Sequence, residues 1–171
     1  MKLRELSEKD ISGMLEWMHD PEIGQYFQFD AASATPDTAL NYIRSASNDP
    51  NSRHFAIVDE NDDYLGTISL KSIDNKNRCA EYAISTRKKA HGQGVAKWAT
   101  SSILDKAFDE LDLNRVYLNV LTDNTRANRF YTKFGFVFEG TSRQHVYIRG
   151  KFKDLNWYAM LRKEWKERSL L

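Results

Sequence analysis

Only one of the 171 residues is cysteine and only three are proline. A lone thiol, Cys79, closes no internal disulfide and has no Cys or His neighbour at metal-ligand spacing, which excludes disulfide scaffolds and zinc fingers; no metal is expected. With so few prolines, no repeat and no low-complexity tract, nothing reads as an interdomain linker. The length fits one domain over residues 1–171, since domains most often run to roughly 100–150 residues. Excess charge of one sign is missing as well: 25 basic side chains face 24 acidic ones, a net charge of +1. Such a chain has no overall field to hold a polyphosphate backbone, so no nucleic-acid partner is expected unless a local patch supplies one. No run approaches the roughly 18 uninterrupted apolar residues of a membrane span, and Met1-Lys2-Leu3-Arg4-Glu5 has no apolar signal core. A cytoplasmic protein without membrane contact is the expectation.

What is present alternates strand and helix signals. After a short strand near Lys2 to Arg4, Ser7-Glu8-Lys9-Asp10 starts a helix whose apolar positions are Ile11, Met14, Leu15 and Met18, ending before Pro21. Thr35-Pro36-Asp37 starts a second, with Thr35 as cap, Pro36 in the first turn and Leu40, Tyr42 and Ile43 inward. The aromatic cluster Tyr26-Phe27-Gln28-Phe29 falls in the loop between them. His54 to Asp59, Tyr64 to Ile73 and Arg78 to Ser85 are β-rich runs joined by short polar turns, an antiparallel meander. Gly92-Gln93-Gly94 opens a long helix striped by Ala96, Ala99, Ile103 and Ala107, and the strand Arg115 to Thr122 follows. That order is a βαβ crossover, which makes the third meander strand and Arg115 to Thr122 parallel neighbours. A short helix, Thr125 to Lys133, stops at Gly135, and two strands turning at Arg149-Gly150 complete a mixed α/β sheet. The charge-mixed segment Arg162 to Arg168 reads as a solvated end.

The basic turn Arg87-Lys88-Lys89-Ala90-His91-Gly92-Gln93-Gly94 precedes the long helix. Glycines let a backbone approach an anion, and the free N–H groups and dipole of a helix start then point at it; Lys89 and His91 add charge. It is neither a Walker loop, since Val95 follows Gly94, nor a dinucleotide fingerprint, whose third glycine would stand at Lys97. It also reads as a plain helix-start turn with solvated lysines, and the turn alone does not choose. Asp59-x-Asn61-x-Asp63 opens like a calcium loop, but Tyr64 stands at its glycine and Leu70 at its bidentate carboxylate, leaving a hairpin turn.

One strand downstream lies Asn124-x-x-Ala127-x-x-x-Tyr131-x-Lys133-x-Gly135-Phe136. With Lys89-Ala90-His91-Gly92-Gln93-Gly94 it resembles the two motifs of the GCN5-related N-acetyltransferase (GNAT) superfamily, with Lys where its pyrophosphate loop usually carries Arg or Gln. The ending, Glu139-Gly140-Thr141 with His145, Gly150, Asp154 and Met160, is similar to the branch of ribosomal-protein N-terminal, spermidine and amino-sugar acetyltransferases. The resemblance implies a mostly antiparallel sheet whose central parallel pair splays to hold acetyl-CoA. Backbone groups of Tyr82, Ala83 and Ile84 would bond the pantetheine arm. The N–H groups of Gly92, Gln93, Gly94, Val95 and Ala96 would hold the pyrophosphate.

By the same resemblance Tyr131 is the acid that protonates the coenzyme sulfur; packing beneath the short helix is its other reading. Glu81 interrupts an apolar strand and could take the ammonium proton, orient the amine, or merely pair with a Lys or Arg. Asn119 in mid-strand could contact coenzyme or acceptor or be a satisfied core amide. Asn124 could cap the short helix and also approach the coenzyme. Tyr26, Phe27 and Phe29 could wall the acceptor pocket or close the core. Cys79 reads as a small hydrophobe. The implied reaction is direct acetyl transfer to a primary amine: a protein N-terminal α-amine first, then a nucleotide-linked amino sugar, then a polyamine. A coenzyme A-binding regulatory domain and an RNA binder using Arg87 to Lys89 are the rivals from other classes, and a homodimer is left open.

Overall fold

Seven strands form one sheet in the computed structural model, which describes residues 1–168, so the last three residues of the expected domain lie outside it. They are β1 (Lys2–Glu5), β2 (Arg53–Val58), β3 (Tyr64–Asp74), β4 (Cys79–Thr86), β5 (Arg115–Leu121), β6 (Val137–Ile148) and β7 (Lys151–Leu161). Their order is β1-β2-β3-β4-β5-β7-β6, with β4 and β5 parallel and every other pair antiparallel. The helices are α1 (Ile11–His19), α2 (Pro21–Gly24), α3 (Pro36–Asn48), α4 (Val95–Asp105), α5 (Thr125–Phe134) and α6 (Arg162–Arg168).

Period-two alternation sends successive strand residues to two faces, each closed by its own helices. On one face Ile68, Leu70, Tyr82, Val116 and Leu118 pack against Ala99, Ile103 and Leu104 of α4 and against Tyr131 and Phe134 of α5. On the other, Ala56, Val58 and Tyr64 pack against Met14, Trp17 and Met18 of α1 and Ile43 of α3. In α3, Ala39 joins Ile43 inside, while Leu40 and Tyr42, expected inward, are half-buried. Thr35 caps that helix by accepting from the Thr38 N–H at 3.3 Å. Asp59 accepts from the N–H groups of Asn61 and Asp63, closing the β2–β3 hairpin as a turn.

The C-terminal segment is a correction to the sequence reading. Arg162 to Arg168 is not a solvated end but helix α6, because Trp165 is buried against Phe134 with nearly parallel rings 6.0 Å apart, and its indole N–H donates to Asp105 at 2.9 Å. Cys79 is half-buried rather than enclosed.

Gly66 of β3 sits opposite Thr86, where β4 leaves the sheet. A methyl group there would lie 2.4 Å from the Ser85 carbonyl oxygen and 2.9 Å from the Thr86 Cα. Because the obstacle is backbone, Gly66→Ala is expected to cost about 1–3 kcal/mol, read by urea unfolding; no loss of stability would mean that β4 yields there freely.

Candidate active site

Strands β4 and β5 share only three residue pairs, Cys79 with Arg115, Ala80 with Val116 and Glu81 with Tyr117. Beyond them β4 stays on β3 as far as Thr86, while β5 stays on β7 as far as Leu121. From Tyr82 to Thr86, then, β4 has a partner on one side only, and its remaining N–H and C=O groups border a gap of strand-like shape. The Tyr82 side chain is buried and its hydroxyl lies 2.8 Å from Thr100 Oγ1 of α4, which fixes the strand against the helix. Ala83 and Ile84 line a cavity on the opposite face.

At the end of β4 the chain turns through Gly92 and Gly94, with φ of +77° and +76°. A Cβ at either would meet nothing within 4 Å, so the backbone angle rather than crowding asks for glycine. Gly94 ends the turn and α4 begins with no side-chain cap, so its first N–H groups face outward. They open onto a cavity of about 630 Å³ lined by His91 and by the cations Lys97, Arg126, Lys133 and Arg168. His91 Nδ1 lies 2.8 Å from Arg126 Nη1; burial, then the Arg126 charge, lowers its pKa, which suits a neutral ring accepting that hydrogen. Gln93 folds back to the Lys89 carbonyl at 2.7 Å. Lys89 itself turns away to Asp63, Arg87 to Glu16 and Lys88 to Glu22, so the three basic residues read as an anion or RNA patch are already matched by carboxylates. The cavity's cations come from the helices instead. A turn of exposed N–H groups ringed by cations, continuous with a strand-shaped gap, fits a diphosphate joined to an amide-bearing arm.

Tyr131 stands on α5 among Tyr82, Phe130, Phe136 and Tyr158, with ring centroids 5.4–6.1 Å away. Burial raises its pKa above the ordinary phenol value. Among the described residues every enclosed side-chain polar atom has a hydrogen-bond partner. The Tyr131 hydroxyl makes no hydrogen bond to the described residues, and the ring is buried. Asn124 caps α5 by accepting from the Ala127 N–H at 3.1 Å. Asn128, which the motif reading passed over, locks the same helix to the sheet: it donates to the Leu121 carbonyl and accepts from Asn156 and the Tyr158 hydroxyl. Its signal was a polar residue on the inner side of a helix with few apolar ones.

On the opposite face Glu81 meets Lys71 Nζ at 3.0 Å and Asn119 Nδ2 at 3.3 Å. Glu81 and Asn119 thus bridge β4 and β5 where the strands part. Beside them lies a second cavity of about 610 Å³, walled by Phe27, Phe29, Trp17 and Ile84 and carrying Asp30, Lys71 and Ser69. Phe27 stacks on Phe29 at 5.1 Å. Tyr26 is not in that wall; it packs with Leu121, Ile148, Leu155 and Trp157 under the β6–β7 hairpin. Lys71 and Ser69 were not singled out from the sequence, although Thr67, Ser69 and Lys71 stand at period two in an otherwise apolar run. Among the described residues no group of three or more His, Cys, Asp or Glu could hold a metal ion, and no helix is long and apolar enough to cross a membrane.

The Acetyltransferase (GNAT) domain family matches residues 1–137. YdaF of Bacillus subtilis (strain 168), whose name assigns it provisionally to ribosomal N-acetyl transfer, is 35% identical over 101 residues, 59% of this chain and 55% of that one, so the aligned part spans about half of that relative. Spermidine N(1)-acetyltransferase of Vibrio cholerae is 30% identical over 117 residues, 68% of each chain. The crystal structure of spermidine N-acetyltransferase from Vibrio cholerae in complex with CoA and spermine superposes with a TM-score of 0.87 at 25% identity, covering 96% of this chain and 97% of that one. Uncapped helix start, parted parallel strands and tyrosine helix thus occur here in the order that the sequence motifs implied, and the chain belongs to the GNAT acetyltransferase family.

Proposed function

We propose that this acetyl-CoA-dependent N-acetyltransferase acts on a protein N-terminal α-amine flanked by an apolar side chain. Acetyl-CoA supplies the acyl carbonyl and a thiolate leaving group. The N–H groups at the start of α4, with Lys97 and Arg126 nearby, are suited to its diphosphate, and the free backbone of Tyr82 to Ile84 to its pantetheine amides. Tyr131 keeps its proton across the neutral range and offers it to the sulfur. Glu81 is held by Lys71 and Asn119, which favours an orienting role over that of a free base.

The lining of the second cavity carries the acceptor reading. Its walls are mainly aromatic and aliphatic, its one carboxylate is Asp30, and Lys71 adds positive charge. One ammonium group beside an apolar side chain suits that lining. A polyamine asks for carboxylates spaced along its length, and a nucleotide-linked sugar asks for a second diphosphate cradle. Relatives carry both ribosomal and spermidine names, and the pocket lining supports the first. A mass-shift screen with acetyl-CoA should show tetrapeptides with an apolar first residue acetylated at higher kcat/KM than spermidine or UDP-linked amino sugars; preference for spermidine overturns this acceptor. Tight acetyl-CoA binding with turnover of no amine supports the regulatory-domain reading.

Two substitutions test the machinery. Gly94→Val puts a β-branched residue at φ +76°, a strain of about 1–3 kcal/mol. Calorimetry should show coenzyme A binding weakened about tenfold with the fold retained; unchanged affinity removes the loop from the site. Tyr131→Phe should lower kcat about 100-fold with coenzyme affinity unchanged, and an unchanged kcat removes the phenol from the chemistry.

A further inference from the structure

His54 lies outside both sequence motifs. It stands on β2 directly opposite Ser69 of β3, and Ser69 stands opposite Ala83 of β4. Residues so paired share a face, so His54, Ser69 and Ala83 form one row running across the sheet to the wall of the gap. His54 Nδ1 lies 2.8 Å from Ser69 Oγ and 2.9 Å from the Tyr42 hydroxyl. Ser69 and Tyr42 both line the second cavity. Ser69 is otherwise enclosed, whereas the imidazole is half-buried and in reach of solvent. With its hydrogen on Nε2, the ring offers its single Nδ1 lone pair to one hydroxyl at a time, and when Ser69 donates to it the Ser69 oxygen keeps lone pairs for a donor in the cavity that it lines.

We propose that His54 takes the proton of the acceptor ammonium through the Ser69 hydroxyl. This rests on the amine-acetylation reading above. As an ammonium N–H bond breaks, Ser69 Oγ gains that proton and passes its own to His54 Nδ1. The freed nitrogen pair forms the C–N bond to the acyl carbon and the C–S bond breaks. Nitrogen loses two protons in all: one leaves by His54 to water, and the other balances the proton that Tyr131 gives to the sulfur. Around the ring stand the Tyr42 phenol of α3, Asp49 from the turn after α3 and Lys71 of β3. Burial and Lys71 lower the His54 pKa, against the raising effect of Asp49, so the imidazole is free to accept at neutral pH. Glu81 is already engaged by Lys71 and Asn119.

The test compares His54→Gln, which keeps a hydrogen-bonding group but takes up no proton near neutrality, with Ser69→Ala, which breaks the path and leaves the ring. Each is assayed with wild type on the best peptide of the screen and on its analogue opening with an aminooxyacetyl group, whose amino nitrogen is uncharged at neutral pH. Both variants should lose about 100-fold in kcat/KM on the peptide and under threefold on the aminooxy analogue. Wild-type kcat/KM should be flat between the His54 pKa and that of the amine, whereas His54→Gln should rise tenfold per pH unit there. Equal losses on the two acceptors, or no loss on either, overturn the relay. If His54→Gln fails to fold, the Ser69→Ala ratio decides alone. A wild type that acetylates no amine defeats the acceptor reading instead, a result distinct from any failure of the relay.

Discussion

Three residue pairs hold β4 to β5, and then the strands part. Each goes on satisfying its backbone on the far side, β4 against β3 and β5 against β7, so the parting leaves the sheet continuous while setting free one row of N–H and C=O groups in its middle. A buried tyrosine bonded to Thr100 stiffens one bank, and Asn128 ties α5 to the other through Leu121, Asn156 and Tyr158. The opening is therefore built from strands that stay paired on their far sides. Beyond its end lies the uncapped start of α4.

Charge is sorted around that opening. The loop's own basic residues, Arg87, Lys88 and Lys89, are matched by Glu16, Glu22 and Asp63 from the N-terminal half, fastening the loop to α1, α2 and the β2–β3 turn. Arg126, Lys97 and Lys133 face the cavity at the helix start from α4 and α5. Cations paired within the fold and cations lining the cavity are thus different residues. On the other face Lys71 and Glu81 neutralise one another beside a mainly apolar chamber.

Most of the fold was readable because its signals are local: alternation in the strands, Thr35-Pro36-Asp37 at a helix start, glycines at positive φ in the loop and at Gly135. The places of Tyr131 on α5 and of Asn124 as its cap were readable because a motif on one helix carries them. What escaped depends on contacts between distant segments. The partner of Lys89 lies 26 residues away, and nothing in a run of lysines says which of them finds a carboxylate. Tyr26 sits one residue from Phe27 yet packs beneath the other end of the sheet. Ser69 and His54 meet only because β2 and β3 take one register. Helix α6 was misread for a similar reason: its charges are exposed as expected, but one tryptophan among them finds Phe134 and Asp105.

That tryptophan ties the last described helix to the helix bearing Tyr131. Phe134 belongs to that helix, and Trp165 and Arg168 form part of the wall of the cavity at the start of α4. A chain ending before residue 162 would keep the phenol and the glycine turn and lose the aromatic slab beside Phe134. That wall of the cavity therefore forms only once α6 has docked, however early the sheet assembles.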